Sequence, residues 1–437
     1  MSSTEAVTAE PGDPERPLAC ARFLHDPDTQ RVLDALEAGG KPVRFVGGCV
    51  RDALRDRALD PTDLDLATPE PPERVMELLE RAGIRAIPTG IEHGTVTALC
   101  GQRRFEITTL RQDVDTFGRR ARVAFTADFE ADAARRDFTI NAMSADREGR
   151  LYDPFGGRAD LVAGRIRFVG RARERIREDY LRILRFFRFY ARFGRPPADP
   201  EALSACAAEA AGLARLSAER IREELLRLLE APGAVESLEL MRETGVLDRI
   251  FPWPPNIERL RQLLRVAPEA DAIVRLAALL RAADRGAEEI DAFARALRLS
   301  NRERERLVTL ATAPLPDSEA AERVHRERVF RLGATAYADL LRLAAAERGT
   351  DADRLQALLA LVASLDVPVF PLRGADIVAR GVPPGPAVGA LLRAVEAWWL
   401  EQDMRPDYED CLERLERLIA EGKPNERGRS DGDARPG

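Results

Sequence analysis

Lysine is almost absent from this 437-residue chain. Of its 67 basic residues only Lys41 and Lys423 are lysine, and the other 65 are arginine. Histidine is as scarce: His25, His93 and His325 are the whole supply. A histidine-rich metal centre, such as that of an HD phosphohydrolase, therefore cannot be built. The five cysteines (Cys20, Cys49, Cys100, Cys206, Cys411) are scattered without a CxxC pair. That excludes a zinc ribbon or a disulfide framework and suits a reducing cytoplasm. No stretch approaches the roughly 18 uncharged apolar residues that a membrane-spanning helix needs. The first 17 residues are acidic and lack an apolar run, so they do not read as a secretory signal. No GxxxxGK followed by Ser or Thr occurs, which excludes a P-loop.

What remains is 45% apolar and 32% charged, enough for sizeable cores. At about 100–200 residues per domain the length predicts two to four domains. The net charge of −7 argues against a chain that coats nucleic acid generally, but it hides an uneven distribution. Residues 165–195 hold eleven arginines against Glu174, Glu178 and Asp179, a local excess of eight positive charges. Such a stripe in an acidic chain reads as a local polyanion site. The alternative is a solvated helix face in a chain biased towards arginine.

The termini, 1–17 and 421–437, are polar and rich in Gly, Pro and charge, as disordered ends are. Between about 26 and 165 short strands and helices mix. PVRFVGG predicts a buried strand ending in a glycine turn, and the segment from Val50 the helix after it. Leu64–Ala67 predicts a strand, PPERVMELLERAG a helix, and HGTVTALC and RRFEITTL two neighbouring strands around Gly101. From about 166 the chain is nearly all helix by its three- and four-residue apolar spacing. Breaks are expected at Gly194–Pro197, Ala231–Gly233, Pro252–Pro255, Pro314–Asp317 and Pro368–Gly374.

Chemistry is concentrated in the head. Asp63 and Asp65 lie two apart on a predicted strand, so they share one face while Leu64 and Leu66 share the other. Two adjacent carboxylates repel and need neutralising, which a hard divalent cation with oxygen ligands does, Mg2+ above all. Such a site suits two-metal phosphoryl transfer. Upstream, Gly47-Gly48 between strand and helix lets backbone N–H groups approach a phosphate at a helix N-terminus, with Arg51 one turn in.

Gly47–Asp52 followed by Asp63-Leu64-Asp65 resembles the nucleotidyltransferase head of the family of class II tRNA CCA-adding enzymes and bacterial poly(A) polymerases. Arg135-Arg136-Asp137-Phe138-Thr139-Ile140-Asn141-Ala142 resembles that family's second motif. Asp153–Gly157 with Asp160-Leu161 resembles the hinge after it. Glu178-Asp179-Tyr180-Leu181-Arg182 with Arg185 and Arg188 resembles its nucleotide-reading motif. The resemblance implies an α+β, polymerase β-like head with a small mixed sheet, followed by an elongated all-α neck, body and tail. The corresponding boundaries are a disordered N-terminal segment over 1–25, a head over 26–165 and a neck over 166–255. A body over 256–365, a tail touching the tRNA elbow over 366–420 and a disordered end over 421–437 complete the division.

The resemblance also implies roles. Asp63 and Asp65 match the metal ligands, and Glu106 on RRFEITTL is the candidate third carboxylate or an ordinary surface glutamate. Gly48 and Arg51 match triphosphate contacts, and Arg136 a phosphate or ribose contact. Asp137 is placed to accept from a ribose 2′-hydroxyl, or else it is a helix N-cap. Asp179 and Arg182, three apart on one predicted helix, are surface neighbours. Arg182, Arg185, Arg188 and Arg192 form a stripe opposite Ile183, Phe186, Phe187 and Tyr190. Cytosine and adenine both show an amino donor beside a ring-nitrogen acceptor. Asp179 accepting and Arg182 donating would read both and reject guanine and uracil, at roughly 1–3 kcal/mol for a good pair. The alternative for the pair is a surface salt bridge among solvated arginines.

The expected function is template-independent addition of CCA to tRNA from CTP and ATP, with Mg2+ as cofactor and no membrane or protein partner. The alternatives are a bacterial poly(A) polymerase, an A-adding relative and a non-catalytic RNA-binding relative. Poly(A) polymerases typically carry a basic GRRF-like segment where this chain has Pro88–Thr95. Residues 111–123 match the position of the flexible loop needed for the switch to adenosine. Gly374-Ala375-Asp376 and Pro384-Gly385-Pro386 with Gly389 open a helix, as in the elbow-gripping tail. Arg220, Arg222, Arg227, Arg261 and Arg265 are expected either on the tRNA backbone or on solvated faces.

Overall fold

The computed structural model describes residues 17–56, 58, 60–115, 122–282 and 284–421. They form two compact units. The first runs to Ile257 and takes in Asp271–Leu280 and Glu288–Leu307; the second holds Glu258–Ala270, Arg281–Ala287 and the chain from Val308.

The head of the first unit is a seven-stranded mixed sheet in the order β3-β4-β5-β2-β1-β8-β9. Its strands are β1 (Arg44–Val46), β2 (Asp63–Thr68), β3 (Arg85–Gly90), β4 (Thr95–Cys100), β5 (Arg103–Thr109), β8 (Ser144–Ala145) and β9 (Leu151–Tyr152). Only β2 and β5 run parallel. Helices α1 (Pro27–Glu37) and α3 (Pro72–Arg81) supply Val32, Leu33, Leu36, Val75 and Leu79 to one face. Leu64, Leu66, Val96, Ala98, Phe105 and Ile107 meet them there. Period-two alternation leaves Asp63, Asp65, Arg104, Glu106, Thr95 and Thr97 on the other face. Strands β6 (Arg111–Asp115) and β7 (Arg122–Phe125) pair as a separate hairpin. The expected flexible loop is thus framed by paired strands, and its tip, 116–121, lies outside the described residues.

Disorder does not extend to residue 25. Leu18, Ala21, Phe23 and Leu24 are buried in the head core, with Phe23 edge-on to Phe45. Residues 1–16 and 422–437, the rest of the expected disordered ends, lie outside the described residues.

The head continues through α2 (Gly48–Arg55), α4 (Phe129–Ala134) and α5 (Gly157–Ala163). The hinge motif is a cap and an anchor. Asp153 accepts from the N–H groups of Gly157 (2.7 Å) and Arg158 (2.9 Å), opening α5. Buried Asp160 accepts from the Thr139 hydroxyl at 2.7 Å and from Arg167.

Next come α6 (Ala172–Glu178), α7 (Leu181–Phe193), α8 (Pro200–Glu209), α9 (Ala218–Glu230) and α10 (Ala234–Glu243). The apolar stripe of α7 is an aromatic core in which Phe186 stacks on Phe168 and packs against Phe138 and Phe187. Phe186 is fully buried. Phe186→Ala is therefore expected to cost about 3–5 kcal/mol in urea unfolding, the range for emptying a phenylalanine site.

Then follow α11 (Ile257–Val266), α12 (Ala272–Leu280), α13 (Ala287–Ala296) and α14 (Asn301–Thr312). The body expected over 256–365 is divided, because α12 is buried on every side and belongs to the first unit, where Arg275 donates to the Leu229 carbonyl at 2.6 Å. The second unit holds α15 (Glu322–Leu332), α16 (Ala334–Arg348), α17 (Ala352–Ser364), α18 (Gly374–Val378), α19 (Pro386–Glu401) and α20 (Tyr408–Glu421). Trp399 centres its core, with Phe330 and Phe370 edge-on and its indole N–H on the Pro406 carbonyl at 2.9 Å. All five expected breaks between helices are present, and α19 opens at Pro386 as expected. Among the described residues no helix is long and apolar enough to cross a membrane.

Candidate active site

The acid pair comes straight from the pleat of β2. Asp63 and Asp65 are exposed while Leu64 and Leu66 are buried. The parallel register sets Glu106 of β5 directly opposite Asp65. Desolvation first, and then the Glu106 charge, raise the Asp65 pKa above its ordinary range, with Asp63 adding to the push and Arg136 opposing it. An acid held at such a cost is poised for a cation. Among the described residues no three acidic, histidine or cysteine side chains form a ligand cluster for one ion. Two carboxylates completed by substrate oxygens are the usual holder of a hard, six-coordinate cation, so the donor set fits.

Next to Asp65 lies the glycine turn. Gly47 has φ 72° and ψ −127°, and a Cβ there would stand 3.2 Å from Arg136 Nη1 and 3.6 Å from Asp65 Oδ2. Only glycine suits both the conformation and the approach. Gly48 opens α2. Gly47, Gly48, Arg51, Arg136, Asp137, Asn141, Asp179, Leu181, Arg182, Arg185, Phe189 and Arg220 line one cleft of about 430 Å3, the size of a small-ligand site. Arg51 is buried, donates to both Asp52 oxygens and to Asn141 Oδ1 (2.7 Å), and lies over the Phe193 ring. Arg136 is steadied by Asp132 at 3.3 Å.

The expected nucleotide-reading helix is two helices. Asp179 lies between α6 and α7 with extended dihedrals, φ −151° and ψ 107°. Its Oδ1 accepts from the Leu181 N–H at 3.1 Å, so a short acidic side chain competes with the helix for its own backbone and starts α7 anew. Asp179 and Arg182 both line the cleft, yet no ion pair joins them among the described residues. Asp179 Oδ2 accepts from Arg220 Nη2 at 2.7 Å. Arg182 donates to Glu178 and to the Arg175 carbonyl (2.7 Å) through Nη1, and to the Arg135 carbonyl through Nη2.

The arginines of α7 are matched to acids. Arg185 pairs with Asp137, and Arg188 with the buried Glu224 of α9. Arg188 also lies over the Phe189 ring. Asp137 does not cap a helix. Its Oδ2 receives Arg185, while its Oδ1 receives the Asn141 amide and the Phe138 N–H. Burial disfavours its charge, but Arg185 and these donors outweigh burial and hold its pKa below the ordinary range.

A depressed folded-state pKa gives stability that is present above the unfolded value of about 3.9 and lost as pH falls through the folded value. Asp137→Asn is expected to cost about 3 kcal/mol in urea unfolding at pH 7, as breaking a buried pair does. The gap to wild type should narrow below the ordinary aspartate range.

Asn141, Glu178, Arg220 and Glu224 are site residues to which the sequence reading gave no such role. Glu224 left one signal: it sits in phase with Ile221, Leu225 and Leu228, a charge on the apolar stripe of α9.

The Poly A polymerase head domain family matches residues 43–167, and the family described as Probable RNA and SrmB- binding site of polymerase A matches residues 198–258. The Mus musculus CCA tRNA nucleotidyltransferase 1, mitochondrial, is 35% identical over 391 residues, 86% of this chain and 86% of its own. The CCA-adding enzyme of Geobacillus stearothermophilus is 32% identical over 400 residues, 88% of this chain and 96% of its own. The crystal structure of the Bacillus stearothermophilus CCA-adding enzyme in complex with CTP aligns with TM-score 0.73 and 29% identity, over 91% of this chain and 98% of its own.

Proposed function

Since the chain belongs to the CCA tRNA nucleotidyltransferase family, we propose that it adds C, C and A to the 3′ end of tRNA from CTP and ATP, releasing pyrophosphate and using no nucleic-acid template. The observation that carries the reading is the single cleft that joins the Gly47-Gly48 turn to Asp179 and Arg182, with the Asp65 carboxylate beside Gly47 and Asp63 on the same strand face.

The head fold of this family implies a divalent metal. In our reading Asp63 and Asp65 hold Mg2+, which when bound lowers the pKa of the attacking 3′-hydroxyl and neutralises charge at the α-phosphate. Glu106 stands beside them. Gly48 offers its backbone N–H and Arg51 its guanidinium to the triphosphate. Arg136, at the mouth of the turn, takes a phosphate or ribose oxygen. Asp137, buried and with two donors on Oδ1 and the Arg185 fork on Oδ2, acts by fixing Arg185 rather than by meeting the ribose directly. Asp179 accepts from the base amine, and Arg182 donates to the ring nitrogen. Arg182 Nε has no hydrogen-bond partner among the described residues and is the donor we assign to the base. The protein thus serves as template, and catalysis is chiefly positioning and charge stabilisation. The opening of α19 at Pro386 is our candidate contact with the tRNA elbow.

The test is metal-dependent incorporation of each nucleotide separately on tRNA shortened at its 3′ end. The expected result is addition of CTP and then ATP, with GTP and UTP refused. Long tails from ATP alone would indicate a poly(A) polymerase, and no incorporation a binding protein; either overturns the proposal.

A further inference from the structure

We infer that Arg104 binds the last phosphodiester of the tRNA 3′ end and so places the attacking hydroxyl. The inference rests on the reading of Asp63 and Asp65 as the metal-holding pair and of the glycine turn as the seat of the triphosphate.

In phosphoryl transfer the attacking and leaving oxygens lie roughly in line through the phosphorus. The leaving pyrophosphate belongs at the Gly47-Gly48 turn, which follows β1. The sheet order sets β1 on one side of β2, and β5 and then β4 on the other. The hydroxyl must therefore reach the Asp63 and Asp65 carboxylates from over β5. Register decides which side chains it meets there. Arg104 pairs with Asp63 across the parallel strands and Glu106 pairs with Asp65, which sets each pair of Cα atoms about 5 Å apart. Alternation along β5 exposes Arg104 and Glu106 and buries Phe105 between them.

Arg104 differs from the arginine beside it. Arg103, on the opposite face, is locked by Asp26 at 2.9 Å, Asp60 at 2.6 Å and the Pro61 carbonyl at 2.7 Å. Arg104 has Asp63 and Glu106 as neighbours on its own face, yet its guanidinium makes no hydrogen bond or ion pair among the described residues. It is held near the acids by charge alone and is free to turn. With the acid pair taken by a divalent cation, like charge repels Arg104 from that pair. The anion that arrives with the attacking hydroxyl is the phosphodiester one nucleotide back, which a guanidinium fork meets with two N–H groups.

The rival role is charge relief, since Arg104 is among the charges that oppose the desolvation and the Glu106 repulsion raising the Asp65 pKa. Experiment separates the two. Single CTP addition is measured for wild type, Arg104→Gln and Arg104→Lys at saturating Mg2+ on tRNA shortened at its 3′ end. A second substrate carries an uncharged methylphosphonate as its last linkage. On normal tRNA, Arg104→Gln should raise KM for tRNA about tenfold and lower the slope of log Kd against log salt by about one. Its KM for CTP should stay within about twofold of wild type, which also shows that the variant is folded. Arg104→Lys should keep the salt slope and recover part of the KM, because it restores the charge without the fork. The methylphosphonate should cost wild type the same factor and cost Arg104→Gln almost nothing more. If it costs Arg104→Gln as much as wild type, Arg104 does not meet that phosphate and the inference fails alone. An unchanged KM for tRNA with a lower Mg2+ requirement in Arg104→Gln would assign the residue to charge relief and overturn the inference as well. If wild type adds no nucleotide to tRNA, the proposed function fails and this inference with it.

Discussion

Asp65→Asn is expected to reduce nucleotide incorporation by about a thousandfold or more, beyond the roughly 10- to 100-fold that losing a mere supporting partner of a metal ligand costs. The same change is expected to raise the melting temperature of the metal-free protein. Both follow from one fact of register: β2 and β5 run parallel with Asp65 opposite Glu106, and Asp63 lies two residues away on the same face. Desolvation and then the Glu106 charge lift the Asp65 pKa. A folded-state pKa above the unfolded one gives stability that is present at low pH and lost as pH rises through the folded value. At neutral pH the ionised carboxylate is thus a standing cost to the metal-free fold. Asparagine removes the charge and the cost together. Added Mg2+ should stabilise wild type in thermal melts and stabilise Asp65→Asn much less. Asp63→Asn should show the same loss of incorporation. Near-normal CTP addition by either variant would show that the carboxylates are not the metal ligands.

The acid pair was legible because a strand repeats every two residues and the sequence alternates at that period: Leu64 and Leu66 could only be core, so Asp63 and Asp65 had to be open. The glycine turn was legible for a similar reason, since Gly47 holds a positive φ that other residues resist. The break at Asp179 was not. Ile176, Leu181, Ile183 and Leu184 keep a helix-like apolar spacing across it, and one aspartate does not interrupt that pattern in sequence. Only the hydrogen bond from the Leu181 N–H shows the interruption. Residues 18–25 were read as disordered because a short 3-10 turn has no long period to detect. What buries them is Phe23 meeting Phe45, a contact between distant parts of the chain. The arginine stripe was visible, but its partners were not. Asp137 lies 48 residues before Arg185, and Glu224 lies 36 residues after Arg188.

Those partners decide how the reading pair should fail. Arg182→Ala removes the donor to the ring nitrogen and leaves Glu178 with Arg175 as its remaining cation. Adenine and cytosine lose the same contact, so kcat/KM for ATP and CTP should fall together, by about 5- to 150-fold for about 1–3 kcal/mol of lost recognition. Asp179→Asn acts differently. An amide presents both an acceptor and a donor where the carboxylate only accepts, so a pyrimidine carbonyl can now be met at that position. CTP incorporation should fall about tenfold and UTP incorporation should rise by a similar factor. Arg220 would then face a neutral amide and lose its charged partner, which favours the rotamer that turns the amide oxygen towards it and the NH2 group into the cleft. Steady-state incorporation of all four nucleotides by the two variants distinguishes these outcomes. Equal losses of CTP and ATP in Arg182→Ala with a CTP-to-UTP exchange in Asp179→Asn are the signature of a protein template. Unaltered nucleotide choice in Asp179→Asn would mean that the base is read elsewhere in the cleft.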